Sequence, residues 1–196
     1  MIELIFPTVL HTGRAFEFHQ KQKSLVNYVY QEQKKDPDGV VFSNRGGWQS
    51  QPSYNEFENP IRKIVMGIVQ DYFGQGDFLH SDMSMNLKHL WMNVNGKGSY
   101  NVMHDHPQAN FSGVLWLKCP ENCGRLTFKN SHHWQQCKEM DSYTSKFRED
   151  SKLFEEYCCP AEDGVFIIFP SHLLHNVESN ESDSDRISVS FNLVIS

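Results

Sequence analysis

A series of short strand-like segments with turn residues between them is the feature that most constrains the fold of this chain. In the last segment, apolar Ile187, Val189, Phe191 and Leu193 alternate with polar side chains, as on a strand with one buried face. The segments predicted to be strands are residues 85–94, 111–117, 124–128, 165–169 and 186–194. This pattern predicts a mainly β fold, either a double-sheet jelly roll or a small barrel.

The N-terminal part of the chain has a different pattern. Residues 3–10 are strand-like, residues 14–35 are predicted to be helical, and a clearer amphipathic helix begins at about Asn59 and ends near Gly74. At 196 residues the chain is predicted to be a single domain. Within this domain, residues 1–80 are expected to support a jelly-roll core formed by residues 81–196. The core contains a polar insertion at about 129–163, in which residues 141–157 are predicted to be helical.

Composition narrows the classes of partner and compartment. The net charge of −6 argues against nucleic acid and against anionic membrane surfaces as partners. No apolar run approaches the roughly 18–20 residues that would span a bilayer, and the first ten residues lack the features of a secretory signal. Five cysteines, an odd number, fit reduced thiols better than a disulfide framework. We therefore expect a cytoplasmic protein, in the host cytoplasm if the chain is viral.

Three histidines form a candidate metal site. His104 and His106 are two residues apart, so on a strand they would point the same way, and His175 follows the segment at 165–169. A metal that must also bind oxygen and a co-substrate needs about three protein ligands on one face. We predict His104, His106 and His175 as the ligands. Asp105 could turn inward in place of His106 if the strand is bulged, and His172 is a weaker competitor for His175.

Arg186 is a candidate anchor for an anion near that metal. It opens the last strand-like segment, eleven positions beyond His175. Its guanidinium could form a forked ion pair with the far carboxylate of a dicarboxylic acid. Ser188, on the same face of the strand, could donate its hydroxyl to that carboxylate. Taken alone, Arg186 would more often form a surface salt bridge, and the histidines favour the binding role.

These residues resemble the 2-oxoglutarate/Fe(II)-dependent oxygenase superfamily, and within it a bacterial and phage group with an H-x-H…H…R-x-S pattern. The resemblance covers most of the chain, in short motifs whose order and spacing together are specific. The motifs lie at residues 46–50, 91–95, 101–107, 112–115 and 164–192. The resemblance implies a double-stranded β-helix that holds Fe(II) at its mouth. It also implies 2-oxoglutarate as co-substrate, with Arg186 and Ser188 in the Arg-x-Ser position and Asn93 as a further contact.

The activity implied by the resemblance is hydroxylation of a substrate, with O2 consumed and 2-oxoglutarate converted to succinate and CO2. Most members carry Asp or Glu where this chain has His106. Some relatives lose that carboxylate to make room for a halide. An imidazole fills the same space, which argues against halogenation.

Two other functions fit the same residues. One is a cupin-like three-histidine dioxygenase that does not use 2-oxoglutarate, against which Arg186 counts. The other is a non-catalytic metal-binding jelly-roll module, in which the histidines are structural or bind zinc.

Two further sets of residues are candidates for binding. Trp48 and Gln49, in the loop at 46–50, are predicted to contact the substrate, although Trp48 could equally be a core residue. Cys119, Cys123 and Cys137, with His132 or His133, could hold a structural zinc, but ordinary loop thiols are the favoured interpretation.

Overall fold

The computed structural model describes residues 3–4, 7–52, 59–74, 78–131 and 142–196. The helices in this part of the chain are α1 (Phe18–Lys35), α2 (Pro60–Phe73) and α3 (Ser145–Asp150). The strands are β1 (His11–Arg14), β2 (Asn44–Arg45), β3 (Trp48–Gln49), β4 (Met85–Asn95), β5 (Tyr100–His104), β6 (Phe111–Lys118), β7 (Arg125–Lys129), β8 (Glu156–Pro160), β9 (Val165–Pro170), β10 (His175–Val177) and β11 (Arg186–Ile195). No helix in these ranges is both long and apolar enough to cross a membrane.

The strands form two antiparallel sheets. The major sheet has the order β1-β9-β6-β11-β4-β3, and the minor sheet has the order β2-β5-β10-β7-β8. Strands that are far apart in sequence are neighbours in both sheets. The mainly β, double-sheet jelly-roll fold predicted from the sequence is confirmed.

The outer face of the major sheet packs against α1 and α2. Leu90, Met92 and Val94 of β4 share one buried core with apolar side chains of both helices, such as Val29 and Val65. Local signals set the ends of α2. The Asn59 side chain accepts from the Ile61 amide at 2.8 Å and so caps the first turn, and the Gly74 amide donates to the Gln70 carbonyl at 2.9 Å.

A second core lies between the two sheets. Trp116 of β6 and Ile167 of β9 meet Leu126 and Phe128 of β7 there. Because side chains alternate along a strand, the residues of β4 between those of the outer core, Trp91, Asn93 and Asn95, face this inner side. The inner side is therefore apolar at one place and polar at another, and the polar part contains the candidate site.

Two predicted N-terminal boundaries are wrong. The described residues between positions 3 and 10 lie outside any strand, and the first strand is β1. Pro7 has no N–H for a sheet ladder, whereas His11 to Arg14 pair with β9. Helix α1 begins at Phe18 rather than residue 14, because Arg14 is the last residue of β1.

The predicted insertion at 129–163 is also different in the structure. Helix α3 ends early and the chain turns at Lys152 in the left-handed region, with φ of 55°. Strand β8 follows and pairs with β7, so a helix over 141–157 is wrong beyond Asp150, and the end of the segment is part of the minor sheet. Residue 141 and the nine residues before it lie outside the described ranges.

Candidate metal centre

His104, His106 and His175 come together at the mouth of the space between the sheets. One ligand atom from each lies within 4.8 Å of the other two. The ring centroids are 4.3 Å apart for His104 and His175, 5.0 Å for His104 and His106, and 5.2 Å for His106 and His175. Within the described ranges this is the only group of three or more His, Cys, Asp or Glu side chains arranged to share one ion. Asp105 and His172 are not members of it.

A bulge in β5 turns His104 toward the site. His104 pairs with His175, and Asn101 pairs with Val177, so three steps along β5 match two steps along β10. The extra residue lets both His104 and Asn101 line the inner pocket, although they are three positions apart. The bulge therefore precedes His104 and does not turn Asp105 into the site.

His106 reaches the site from beyond the end of β5, not from a strand as its spacing had suggested. Its backbone N–H donates to the carbonyl oxygen of Ser171 at 2.9 Å. The Ser171 hydroxyl is 2.9 Å from the Ser112 hydroxyl, which donates to Asn192 Oδ1 at 2.8 Å. These contacts tie the loop that carries His106 to the major sheet.

Hydrogen bonds set the tautomers of two of the histidines. Nδ1 of His104 lies 2.7 Å from the Val102 carbonyl oxygen, and Nδ1 of His175 lies 2.7 Å from the Leu173 carbonyl oxygen. A carbonyl only accepts, so each Nδ1 carries the proton and each Nε2 keeps its lone pair. This is the usual support of a metal-binding imidazole.

Burial keeps the three rings neutral. Desolvation lowers the pKa of His175 to about 3 and that of His106 to about 4, and it also lowers the pKa of His104. Neutral imidazole is the form that binds a metal ion. The site is therefore in its ligating form near neutral pH.

Arg186 lies within the same pocket as the histidines and is buried, with 1% of its surface exposed. Its Nη1 donates to the carbonyl oxygens of Cys123 and Glu178. Its Nε and Nη2 are buried and have no partner among the described residues. Nε and Nη2 form one edge of the guanidinium, and that edge can hold a carboxylate with two parallel hydrogen bonds.

The charge of the Arg186 guanidinium is buried and is only partly offset by nearby groups, Glu178 among them. None of the ion pairs found in the described ranges includes Arg186. Burial lowers its pKa to about 10, which still leaves it charged at neutral pH. A Cβ on Gly124 would lie 2.9 Å from Nη1, so glycine at that position leaves room for the guanidinium, and the Trp116 ring centroid lies 5.9 Å from Cζ.

Asn93 and Ser188 line the same pocket as Arg186 and the histidines. Asn93 Nδ2 donates to the hydroxyls of Ser188 at 3.4 Å and Ser190 at 3.2 Å, while its Oδ1 is buried without a partner. Both hydroxyls can also donate, so the amide can present either its oxygen or its nitrogen to the pocket. The structure thus brings Arg186, Ser188 and Asn93 into one pocket with the histidines.

The two predicted substrate contacts are not in that pocket. Trp48 is 7% exposed and packs in the outer core with the helices, and its Nε1 donates to the Asp36 carbonyl oxygen at 2.7 Å. Trp48 pairs with Val94, whose side chain faces the helices, so the structure favours the alternative of a core residue for Trp48. Gln49 is buried next to Asn93 in the ladder, and its role in substrate binding stays a prediction.

Several pocket residues were missed by the sequence analysis. Asn95 and Asn101 line the pocket, and the ring centroid of Trp91 lies 5.7 Å from that of His106. The two-residue period from Asn93 could have identified Trp91 and Asn95. Asn101 depends on the bulge and had no such signal.

The cysteine set stays a prediction. Cys119 and Cys123 are free thiols. Cys137, His132 and His133 lie outside the described residues.

Residues 89–192 match a protein-family model described as "Putative 2OG-Fe(II) oxygenase". This range begins in β4 and ends in β11, and it includes the three histidines and Arg186. Among curated proteins, no sequence matches the chain.

Solved structures show the same fold at low sequence identity. The viral collagen prolyl hydroxylase of Paramecium Bursaria Chlorella virus-1, in its 2OG complex, is 12% identical with a TM-score of 0.59, covering 94% of each chain. A prolyl-4-hydroxylase of Pseudomonas putida is 13% identical with a TM-score of 0.59, covering 95% of this chain and 92% of its own. A non-heme alpha ketoglutarate dependent epimerase from nogalamycin biosynthesis is 11% identical with a TM-score of 0.66, and the match covers 95% of this chain and 76% of the epimerase.

Proposed function

This chain belongs to the 2OG-Fe(II) oxygenase family, and from that premise we propose that it binds Fe(II) through His104, His106 and His175 and 2-oxoglutarate through Arg186. The observation that carries the proposal is the unpartnered Nε/Nη2 edge of Arg186 in the same pocket as three neutral imidazoles. A dicarboxylate fits this arrangement, with one end at the metal and the other at the guanidinium.

The donor set suits Fe(II). Three imidazole nitrogens on one side of an ion leave positions for a co-substrate and for oxygen. Because all three ligands are neutral, they leave the full positive charge of the metal uncompensated. An anionic co-substrate that chelates the metal reduces that charge, so His106 in place of a carboxylate strengthens the need for an acid such as 2-oxoglutarate.

When bound, Fe(II) and 2-oxoglutarate supply the oxidising chemistry, with O2 consumed and succinate and CO2 released. The chain's own residues bind and orient. His104 and His175 keep their Nε2 lone pairs available through their Nδ1 hydrogen bonds. Arg186 holds the distal carboxylate, and Ser188 and Asn93 line the pocket that holds the co-substrate. Burial of the site excludes bulk water from the co-substrate.

We propose hydroxylation of a third molecule, the substrate, as the reaction. Two of the similar structures are named as prolyl hydroxylases, which supports this reaction type. Trp91, beside His106, is a candidate for the wall that the substrate meets.

We also propose that the chain is one domain, because α1 and α2 share a core with the major sheet. The free thiols of Cys119, Cys123, Cys158 and Cys159 support a reducing compartment such as the cytoplasm.

An anaerobic titration tests the proposal. Fe(II) is added to the metal-free protein, followed by 2-oxoglutarate, and the visible charge-transfer band of chelated iron is recorded. The band should appear with the wild type, disappear in His104→Ala and weaken in Arg186→Ala. Asn86→Ala is the matched control, since Asn86 is an exposed asparagine of β4 at the end away from the pocket.

Other outcomes point to the alternatives. Iron binding without a 2-oxoglutarate band would favour the cupin-like three-histidine dioxygenase. Metal binding with no consumption of O2 under any condition would favour a non-catalytic metal-binding module. Absence of iron binding would overturn the assignment of the three histidines.

A further inference from the structure

Asn95 has an unused hydrogen-bond donor in the pocket that holds Arg186. It is the last residue of β4, is 1% exposed, and pairs with Arg186 across the β4–β11 ladder. Its side chain lines the same pocket, and its Nδ2 is buried without a partner among the described residues. A buried amide N–H that gives up water without gaining an acceptor is unfavourable, so its presence here calls for a physical reason.

The surroundings of Asn95 hold it in place from two sides. Its backbone carbonyl accepts from Nδ2 of Asn180 at 2.8 Å, and Asn180 is itself buried. On the other side, a Cβ on Gly47 would lie 2.5 Å from Nδ2 of Asn95. Glycine at position 47 therefore leaves the space that the amide occupies, which gives a role to one glycine of the 46–50 motif. These contacts show that the fold fixes the position of the Asn95 amide.

Three buried donor nitrogens without a partner in the described ranges thus belong to two residues that line one pocket: Nε and Nη2 of Arg186 and Nδ2 of Asn95. A carboxylate has two oxygens with about four acceptor sites in total. The guanidinium edge uses two of these sites and leaves others for a neutral donor. In the part of the chain that the structure describes, no ion pair supplies a carboxylate to Arg186.

We propose that Asn95 is a further co-substrate-binding residue, whose Nδ2–H donates to the distal carboxylate of 2-oxoglutarate alongside the Nε/Nη2 edge of Arg186. This inference rests on the proposed function, because it assigns a third donor to the same bound dicarboxylate. It makes the pocket selective for co-substrates that carry a distal carboxylate. An analogue that ends in a methyl group leaves all three donors unpaired, and sites with unpaired buried donors reject such analogues strongly.

The experiment compares two co-substrates in three proteins. The probes are 2-oxoglutarate and 2-oxopentanoate, which has a methyl group in place of the distal carboxylate. Their dissociation constants are measured anaerobically with Fe(II) from the charge-transfer band, or from ligand-dependent shifts in melting temperature where the band is weak. The proteins are wild type, Asn95→Ala and the control Asn86→Ala.

For Asn95→Ala we expect the dissociation constant of 2-oxoglutarate to rise roughly tenfold to a hundredfold, the usual range for losing a hydrogen bond to a charged group. The dissociation constant of 2-oxopentanoate should not change, because that ligand never used the amide. Asn86→Ala should match the wild type with both probes.

Asn95→Asp is the second variant, because it keeps the size and shape of the side chain. Its carboxylate would pair with Arg186 and repel the co-substrate, so 2-oxoglutarate should bind less well than to Asn95→Ala. Fe(II) affinity and melting temperature without co-substrate check that both variants keep the fold and the metal centre.

The outcomes separate this inference from the proposed function. Equal weakening of both probes, or no weakening of 2-oxoglutarate, overturns the role of Asn95 while the oxygenase proposal stands. If Asn95→Ala does not fold, the ratio of the two dissociation constants in Asn95→Asp decides in the same way. If the wild type binds Fe(II) but shows no response to 2-oxoglutarate, the proposed function fails, and this inference with it.

Discussion

The two faces of strand β4 have different tasks. Leu90, Met92 and Val94 face the helices and are buried among apolar side chains. Asn93 and Asn95, between and beyond them, face the pocket and carry polar atoms without partners. The outer face stabilises the fold, whereas the inner face presents donors and acceptors that have no partner in the described ranges. Substitutions on the two faces should therefore affect different measurements.

The largest effect on stability is expected on the outer face. Leu90→Ala removes a side chain that is 1% exposed and packed in the helix-side core. The free energy of unfolding should fall by about 2–5 kcal/mol, from lost apolar burial and the cavity left behind. Denaturant unfolding measures this loss. The folded fraction of the variant should bind 2-oxoglutarate with an affinity within about twofold of the wild type. A large loss of affinity would show that the two faces are not independent.

The largest effect on binding is expected at Arg186. Arg186→Ala removes the guanidinium edge and should raise the dissociation constant of 2-oxoglutarate by about a hundredfold or more, because a buried charge pair is lost. The free energy of unfolding should change little, since the variant also removes a buried charge that forms no ion pair in the described ranges. Arg186→Lys keeps a charge but not the fork, and it should restore only part of the affinity. Recovery to wild-type affinity in the lysine variant would contradict bidentate binding.

Low pH should destabilise the metal-free protein through the inner face. Burial holds the pKa of His175 at about 3 and that of His106 at about 4, while both would be near 6.5 in the unfolded chain. Below about pH 6.5 the unfolded chain therefore binds more protons than the folded one, so stability falls as pH falls. The slope is about 1.4 kcal/mol per pH unit for each histidine, until the pH reaches the folded pKa.

Unfolding of the metal-free protein at several values from pH 7.5 to pH 5 measures this slope. His175→Ala should flatten it. Replacement of His172, which is exposed and outside the metal group, should leave it unchanged. A slope that is the same in all three proteins would show that the buried rings are not its source.

The smallest effect is expected at Ser188, whose hydroxyl already has Asn93 as a partner. Ser188→Ala should raise the dissociation constant of 2-oxoglutarate only about threefold to tenfold, the value of an ordinary hydrogen bond, because the hydroxyl is shared with Asn93. The same anaerobic titration measures it. An effect as large as that of Arg186→Ala would mean that the hydroxyl, and not the guanidinium edge, holds the distal carboxylate.

The strands with a clear alternating pattern were predictable, and those without one were not. Strand β11 alternates over its first eight residues and was found within one residue of its end. Strand β10 has only three residues, and β5 and β8 lack the alternation of apolar and polar residues that marks the equally short β7. These three strands belong to the minor sheet, which positions His104 and His175. The sequence therefore predicted which histidines come together better than it predicted the strands that hold them.

Trp48 and His106 both lie where their local sequence patterns did not indicate, for physical causes of the same kind. Trp48 lies in a segment whose composition suits a binding loop. Its partner in the ladder, Val94, faces the helices, so Trp48 also lies on the helix side of the sheet. His106 has the spacing of a strand residue, but it lies beyond the strand and is held by Ser171. Both depend on which residue lies opposite, and no local pattern contains that information.

The sequence by itself determined which residues could ligate a metal or bind a carboxylate, and which strands bury one face, because side-chain chemistry and alternation are local properties. Only the tertiary structure decided that a bulge turns His104 inward, and that Cys123 and Glu178 occupy one side of the Arg186 guanidinium and leave the other free. It also decided that Asn95 faces the same pocket. These contacts join residues that are distant along the chain, so they depend on how the two sheets pair and pack.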